Sequence, residues 1–145
     1  MPRKTVAGFL NDHIVSTLAG VTEAGRPLFL KIPYNGQGPL EELAAYDSRM
    51  IVGILGGSAG TTMGAFQLIH DAWKHGAKVA LLRRKINLSE HPLAFIELLR
   101  RVVDGEVQPL EAVKIYHSIL QKSGIRPQKH LQQDTQLTTN KMSYR

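Results

Sequence analysis

The chain has 145 residues, 43% of them hydrophobic, and a formal net charge of +6 at neutral pH. That is enough apolar content for one compact domain with its own core, and too short a chain for several. Cysteine is absent, which excludes a disulfide framework and thiolate metal sites. No run approaches the roughly 20 apolar residues of a membrane span, so a cytoplasmic protein without a membrane partner is expected.

The first predicted element is a helix over Val6 to Ala24, with Asn11 or Asp12 as an internal cap and Gly25-Arg26-Pro27 as its break. Leu28 to Ile32 is a nearly continuous apolar run, the pattern of a strand buried on both faces. Tyr34 to Pro39 contains Asn35-Gly36, a turn signal, and a short helix is expected from Leu40 to Tyr46. Arg49 to Leu55 is the second strand, ending in Gly56-Gly57-Ser58-Ala59-Gly60. A helix follows to His75, with Met63, Phe66, Leu68, Ile69, Ala72 and Trp73 as its apolar stripe and Gly76 at its C′ position.

Lys78 to Leu82 is the third strand and runs into Arg83-Arg84-Lys85. Ser89 is the expected cap of the next helix, with Pro92 in its first turn and a stop at Asp104-Gly105. Pro109 opens the last helix, in which Leu110, Val113, Tyr116 and Leu120 recur at helical spacing, and Gly124 closes it. After Ile125 the apolar period is lost. The expected organisation is an α/β domain over residues 1–125 and a polar basic tail over 126–145 without order. Strands alternating with helices predict a parallel sheet with right-handed crossovers.

The positive charge is local. Arg83-Arg84-Lys85 is one cluster, and the tail carries Arg126, Lys129, Lys141 and Arg145 against Asp134 as its single acid. A nucleic-acid interface calls for a basic stripe interleaved with aromatic stacking residues, and neither a stripe nor a known module is present. A focused cluster fits a small anionic ligand better.

All three strands end in useful chemistry, and parallel strands bring their carboxyl ends to one edge. Lys31 closes the first. A lysine at the mouth of an apolar pocket resists its charge, and the neutral amine attacks carbonyls; the structural alternative is an edge-strand lysine that blocks strand addition. The glycine turn lets backbone N–H groups approach an anion at a helix N-terminus, although it matches neither Gly-x-x-x-x-Gly-Lys-Ser/Thr nor Gly-x-Gly-x-x-Gly, and a tight turn alone also needs glycine. Arg84 can hold a phosphate bidentately or lie solvated on the surface. His70 and His75 are five apart on one helix and diverge, so no metal site is expected. Ser58 and Ser89 lack a base partner, so no hydrolase triad is expected.

In their order and spacing these strand ends resemble the C-terminal part of a class I, Schiff-base aldolase barrel of the archaeal-type fructose-bisphosphate aldolase and deoxyribose-phosphate aldolase superfamily. Lys31-Ile32-Pro33-Tyr34-Asn35-Gly36 is similar to the Lys-x-x-Tyr-Thr-Gly of strand six. Leu55-Gly56-Gly57 is similar to the Ala-Gly-Gly of strand seven. Gly76-Ala77 followed by Arg83-Arg84-Lys85-Ile86 is similar to strand eight with its Gly-Arg-Asn-Ile, with Arg83 in the place of the glycine. The likeness covers about Pro27 to Val103 and implies a partial (β/α)8 barrel, three parallel strands with flanking helices.

By that resemblance Lys31 forms an imine with a phosphorylated carbonyl substrate, and Gly56, Gly57, Ser58 and Arg84 hold its phosphate, with no cofactor. The alternative is a non-catalytic module derived from a barrel, binding a sugar phosphate or serving assembly. Three strands of eight leave unpaired edges and uncovered apolar surface, so homo-oligomerisation or pairing with another barrel segment is expected.

Overall fold

A computed structural model of the chain describes residues 6–56 and 60–137. The elements in chain order are α1 (Val6–Ala19), β1 (Phe29–Pro33), α2 (Gln37–Tyr46), β2 (Ile51–Leu55), α3 (Thr62–Lys74), β3 (Val79–Leu81), α4 (Arg83–Asn87), α5 (Pro92–Val103), α6 (Pro109–Lys122) and α7 (Leu131–Asp134). The protein is therefore α/β, with a three-stranded sheet in the order β1-β2-β3 and helices flanking it. β1 and β2 pair in parallel, with Lys31 opposite Gly53 and Pro33 opposite Leu55. β3 runs the same way: Lys78 N–H donates to the Val52 carbonyl at 2.9 Å, and Gly56 N–H donates to the Leu81 carbonyl at 3.0 Å. No helix among the described residues is long and apolar enough to cross a membrane.

The contacts divide the chain into two units, residues 1–55 with 72–80 and residues 56–71 with 81–145. In the first, Leu40 and Leu43 of α2 and Val52 and Ile54 of β2 are buried, with Leu18 of α1, Met50 and Ala77. α1 stops at Ala19 rather than continuing to Ala24. Gly20 follows, and glycine loses more backbone entropy in a helix than any other ordinary residue. Asn11 is no cap. It is buried within α1 and donates from Nδ2 to the Pro39 carbonyl at 2.7 Å and to Glu42 Oε2 at 2.9 Å, tying α1 to α2.

The sheet differs from expectation in one respect that matters below. Strand residues alternate between faces, and parallel neighbours in register share one. Leu30, Ile32, Val52 and Ile54 form the covered face, with Val52 and Ile54 both 1% exposed. Phe29, Lys31 and Pro33, with Ile51, Gly53 and Leu55, form the other, and there Phe29 is 40% and Ile51 41% exposed. An apolar run over Leu28 to Ile32 predicts burial of both faces, but this pair is covered on one.

The second unit is built on aromatic packing. Phe66 of α3 stacks on Phe95 of α5, ring centroids 5.1 Å apart, and Tyr116 of α6 meets Phe95 edge-on at 5.6 Å. All three are fully buried, with Leu98, Val102, Val113 and Leu120 around them. The Tyr116 hydroxyl donates to Glu90 Oε2 at 3.0 Å and accepts from His91 N–H, and burial pushes its pKa up to about 12. Pro92 and Pro109 open α5 and α6 as expected, but His91 rather than Ser89 caps α5, accepting from Ala94 N–H through Nδ1. Gly76, Gly105 and Gly124 all take positive φ just past a helix end, the conformation that excludes other residues most strongly. Trp73, expected in the core stripe of α3, is exposed; the buried apolar residues of that helix are Ala65, Phe66, Ile69 and Ala72.

The tail from Arg126 is not uniformly without order. Through Leu137 it is described, and it contains α7, whose Asp134 is 4% exposed. Loss of apolar periodicity does not exclude docking through polar groups, which is how this segment is held. Residues 138–145 lie outside the described residues.

Candidate functional site

Lys31 stands third of five residues in β1, on the half-exposed sheet face, with its own side chain exposed. It lies within the strand rather than at its carboxyl end. Its neighbours on that face, Phe29, Pro33, Ile51, Gly53 and Leu55, are apolar or side-chain-free. Phe29 lies across Gly53: a Cβ there would stand 2.4 Å from the ring's Cζ.

Gly56 has a steric reason to be glycine. A Cβ would stand 2.1 Å from Leu82 Cδ2 and 3.0 Å from Leu82 Cα, so the backbone after β2 runs hard against the turn into α4. Leu82 is the residue before α4, and Arg84 is the second residue of that helix. The structure thus brings Gly56 against the segment that carries Arg84, whose side chain is exposed. Gly57 and Ser58 lie outside the described residues. Lys31 belongs to the first unit, and Gly56 and Arg84 to the second.

The start of α3, expected to offer its N–H groups to a substrate phosphate, already holds an anion supplied by the protein. Asp134 Oδ1 accepts Thr62 N–H at 2.6 Å. Thr61 Oγ1 accepts Gly64 N–H at 3.0 Å, as an N-cap hydroxyl does, and donates to the Gln136 carbonyl at 2.6 Å. The other oxygen of Asp134 meets His117 Nε2 of α6 at 2.8 Å. One carboxylate therefore joins α3, α6 and α7. Burial pushes the Asp134 pKa up, but Thr62, through its N–H and its side chain, together with His117 and Lys85, outweighs burial and holds the carboxyl below its ordinary value.

The basic cluster divides on folding. Arg83 and Arg84 point to solvent, whereas Lys85 turns inward, donates from Nζ to the Gly60 carbonyl at 2.7 Å and lies 5.9 Å from the centre of the Phe95 ring. Burial lowers its pKa, and the repulsion of Lys129 adds to this, while Asp134 and Glu90 oppose it. Sequence reasoning missed both Lys85 and Asp134. The available signal was the isolation of Asp134 as the one acid between Arg126 and Arg145, since a lone carboxylate in a basic segment has few places to go unless a donor waits for it.

Among the described residues no cluster of His, Asp or Glu could hold a metal ion. His70 pairs with its neighbour Asp71 at 3.1 Å, and His75 pairs with Glu41 of α2 at 2.7 Å, so each has a carboxylate partner of its own. Comparison with protein-family models, with curated proteins and with solved structures finds no match, and the meaning of these sites rests on their geometry.

Proposed function

We propose that the chain is an assembly segment of a Schiff-base aldolase-type β/α barrel, in which Lys31 becomes the imine-forming amine once its sheet face is covered. The observation that carries this reading is the one-sided parallel sheet with Lys31 on its open face. Parallel sheets in α/β proteins are covered on both faces, so Phe29 and Ile51 at about 40% exposure mark surface that calls for a cover. β1, at the sheet edge, also presents unpaired backbone groups on its outer side. A second copy of the chain is the simplest source of further strands.

The chemistry follows from the covering. A solvated ammonium is a poor nucleophile. Enclosing it between Phe29, Ile51 and a partner surface disfavours its charge, and the neutral amine adds to a carbonyl and loses water. The protonated imine then accepts the electron pair of the breaking carbon–carbon bond. Arg84 and the Gly56-Gly57-Ser58 turn are the proposed phosphate holders. With Asp134 on the first N–H of α3, that role falls on the arginine and the turn.

Sedimentation or light scattering tests the assembly, with Phe29→Ser as the variant that breaks it. A wild-type monomer at all concentrations sinks the assembly reading. Borohydride trapping with dihydroxyacetone phosphate tests the chemistry: an adduct on Lys31, lost in Lys31→Ala, is expected. One observation favours a second reading, a non-catalytic module. Among the described residues of β1 and β2, the open face carries Lys31 as its single polar side chain, with no acid or base on that face beside it. That reading predicts no adduct but a rise in melting temperature with phosphate.

A further inference from the structure

The segment that follows α6 turns back along it and leaves an open groove of about 590 Å³, lined by α6, the turn after it and Leu131 of α7. Both walls are fixed by hydrogen bonds. At the end of α6, Ile125 N–H donates to the Leu120 carbonyl at 2.9 Å and Gly124 N–H to the Gln121 carbonyl at 3.1 Å, with Gly124 at φ +67°. That is the Schellman arrangement, which holds the chain reversal in one geometry. The opposite wall, α7, is anchored through Asp134 to Thr62 and His117.

The lining is chemically one-sided. Lys114, His117 and Arg126 face it with no acidic residue among the lining, and Ile125, Pro127 and Leu131 supply apolar surface. Among the described residues neither Lys114 nor Arg126 takes part in an ion pair, and both are exposed. Unpaired cations beside apolar walls favour one ligand class over others.

We propose that this groove binds a small organic anion, a phosphate monoester or carboxylate on an apolar body, with Lys114 and Arg126 on the anionic group and Ile125, Pro127 and Leu131 against the body. His117 both lines the groove and holds Asp134, so the ligand's charge reaches the α3 start through it. An anion in the groove favours the imidazolium, and the imidazolium is the stronger donor to Asp134. Ligand binding and the docking of α7 therefore reinforce each other, and by linkage each raises the free energy of losing the other. This site is independent of Lys31 and of the barrel reading.

The test is a nuclear magnetic resonance titration of the whole chain with phenyl phosphate, following the His117 ring and the amides of Gly124 and Ile125. Saturable shifts are expected at all three reporters. In the double variant Lys114→Ala, Arg126→Ala, binding should weaken by at least about tenfold, the loss of one or more charge-assisted contacts. Both residues are exposed, so the melting temperature of the double variant should match the wild type. Shifts that do not saturate, equal affinity in the double variant, equal shifts with neutral benzyl alcohol, or equal affinity for inorganic phosphate would each overturn the proposal.

Discussion

The β1–β2 pair and the α5–α6 pair spend similar apolar sequence in different ways. On α5 and α6 the stripe residues Phe95, Val113, Tyr116 and Leu120 are completely buried, and the outward residues mix the charged Glu97, Arg100, Glu111 and Lys114 with the exposed Leu93, Ile96 and Leu110. On β1 and β2 one face buries Val52 and Ile54 almost as thoroughly and half-buries Leu30 and Ile32, yet the other leaves Phe29 and Ile51 substantially exposed. A helix needs one covering layer because it presents one apolar stripe; an apolar strand presents two faces and needs two. The helical pair buries its central stripe completely while Leu93, Ile96 and Leu110 stay exposed at its margins, and the strand pair is covered on one face.

Substitutions can sharpen that contrast. The largest effect is expected from Phe95→Ala, which removes a ring packed against both Phe66 and Tyr116 and should cost about 3–5 kcal/mol in denaturant unfolding. A loss under about 1 kcal/mol would show that the helical core closes over the gap and is looser than it looks.

Next is Gly56→Ala, whose Cβ meets the Leu82 backbone as well as its side chain. Neither gives way cheaply, so thermal unfolding should report a loss of up to about 3 kcal/mol. Gly53→Ala makes the informative control. Its Cβ meets the half-exposed Phe29 ring, which can swing into solvent, so about 1 kcal/mol or less is expected. Equal losses at the two glycines would mean that the Phe29 face is already covered.

Asp134→Asn removes the charge while keeping the shape, and about 2 kcal/mol is expected from the weakened bonds to Thr62 and His117. This contribution depends on pH. The folded carboxyl titrates below its unfolded value, so the stabilisation is present above the ordinary aspartate pKa of about 4 and is lost as pH falls through the lowered folded value. Stability against pH should therefore fall less steeply in acid for the variant than for the wild type. Parallel acid limbs would assign the acid sensitivity to Glu41 and Asp47, whose carboxyls are also held below their ordinary values, by His75 and Arg49 respectively.

A modest effect on the single chain is expected at Phe29→Ser, about 1–2 kcal/mol and well below Phe95→Ala, because the ring is 40% exposed. If the same variant abolishes self-association, the open face is the contact; if it unfolds the chain, the face is part of the core.

Much of the fold was legible because its punctuation is local. Gly76, Gly105 and Gly124 end helices, Pro92 and Pro109 begin them, and alternating strand and helix patterns give a parallel sheet. What escaped was set at a distance. An apolar run cannot say which of its faces will find a partner, and Trp73 shows the same ambiguity at the edge of a helical stripe. The arginine pair read as the run-out of the third strand because α4 is only five residues long and has no apolar period to announce it. For the site, residue type and spacing single out Lys31, Gly56 and Arg84 only as candidates, and they give neither the inward turn of Lys85 nor the path of Asp134 to Thr62, 72 residues away along the chain.

That long reach makes α3 answerable to the far end of the polypeptide. A protease cut between Pro127 and His130 would loosen the carboxylate that terminates the helix's first turn, and the damage would register as fraying at Thr62, far from the severed bond along the chain.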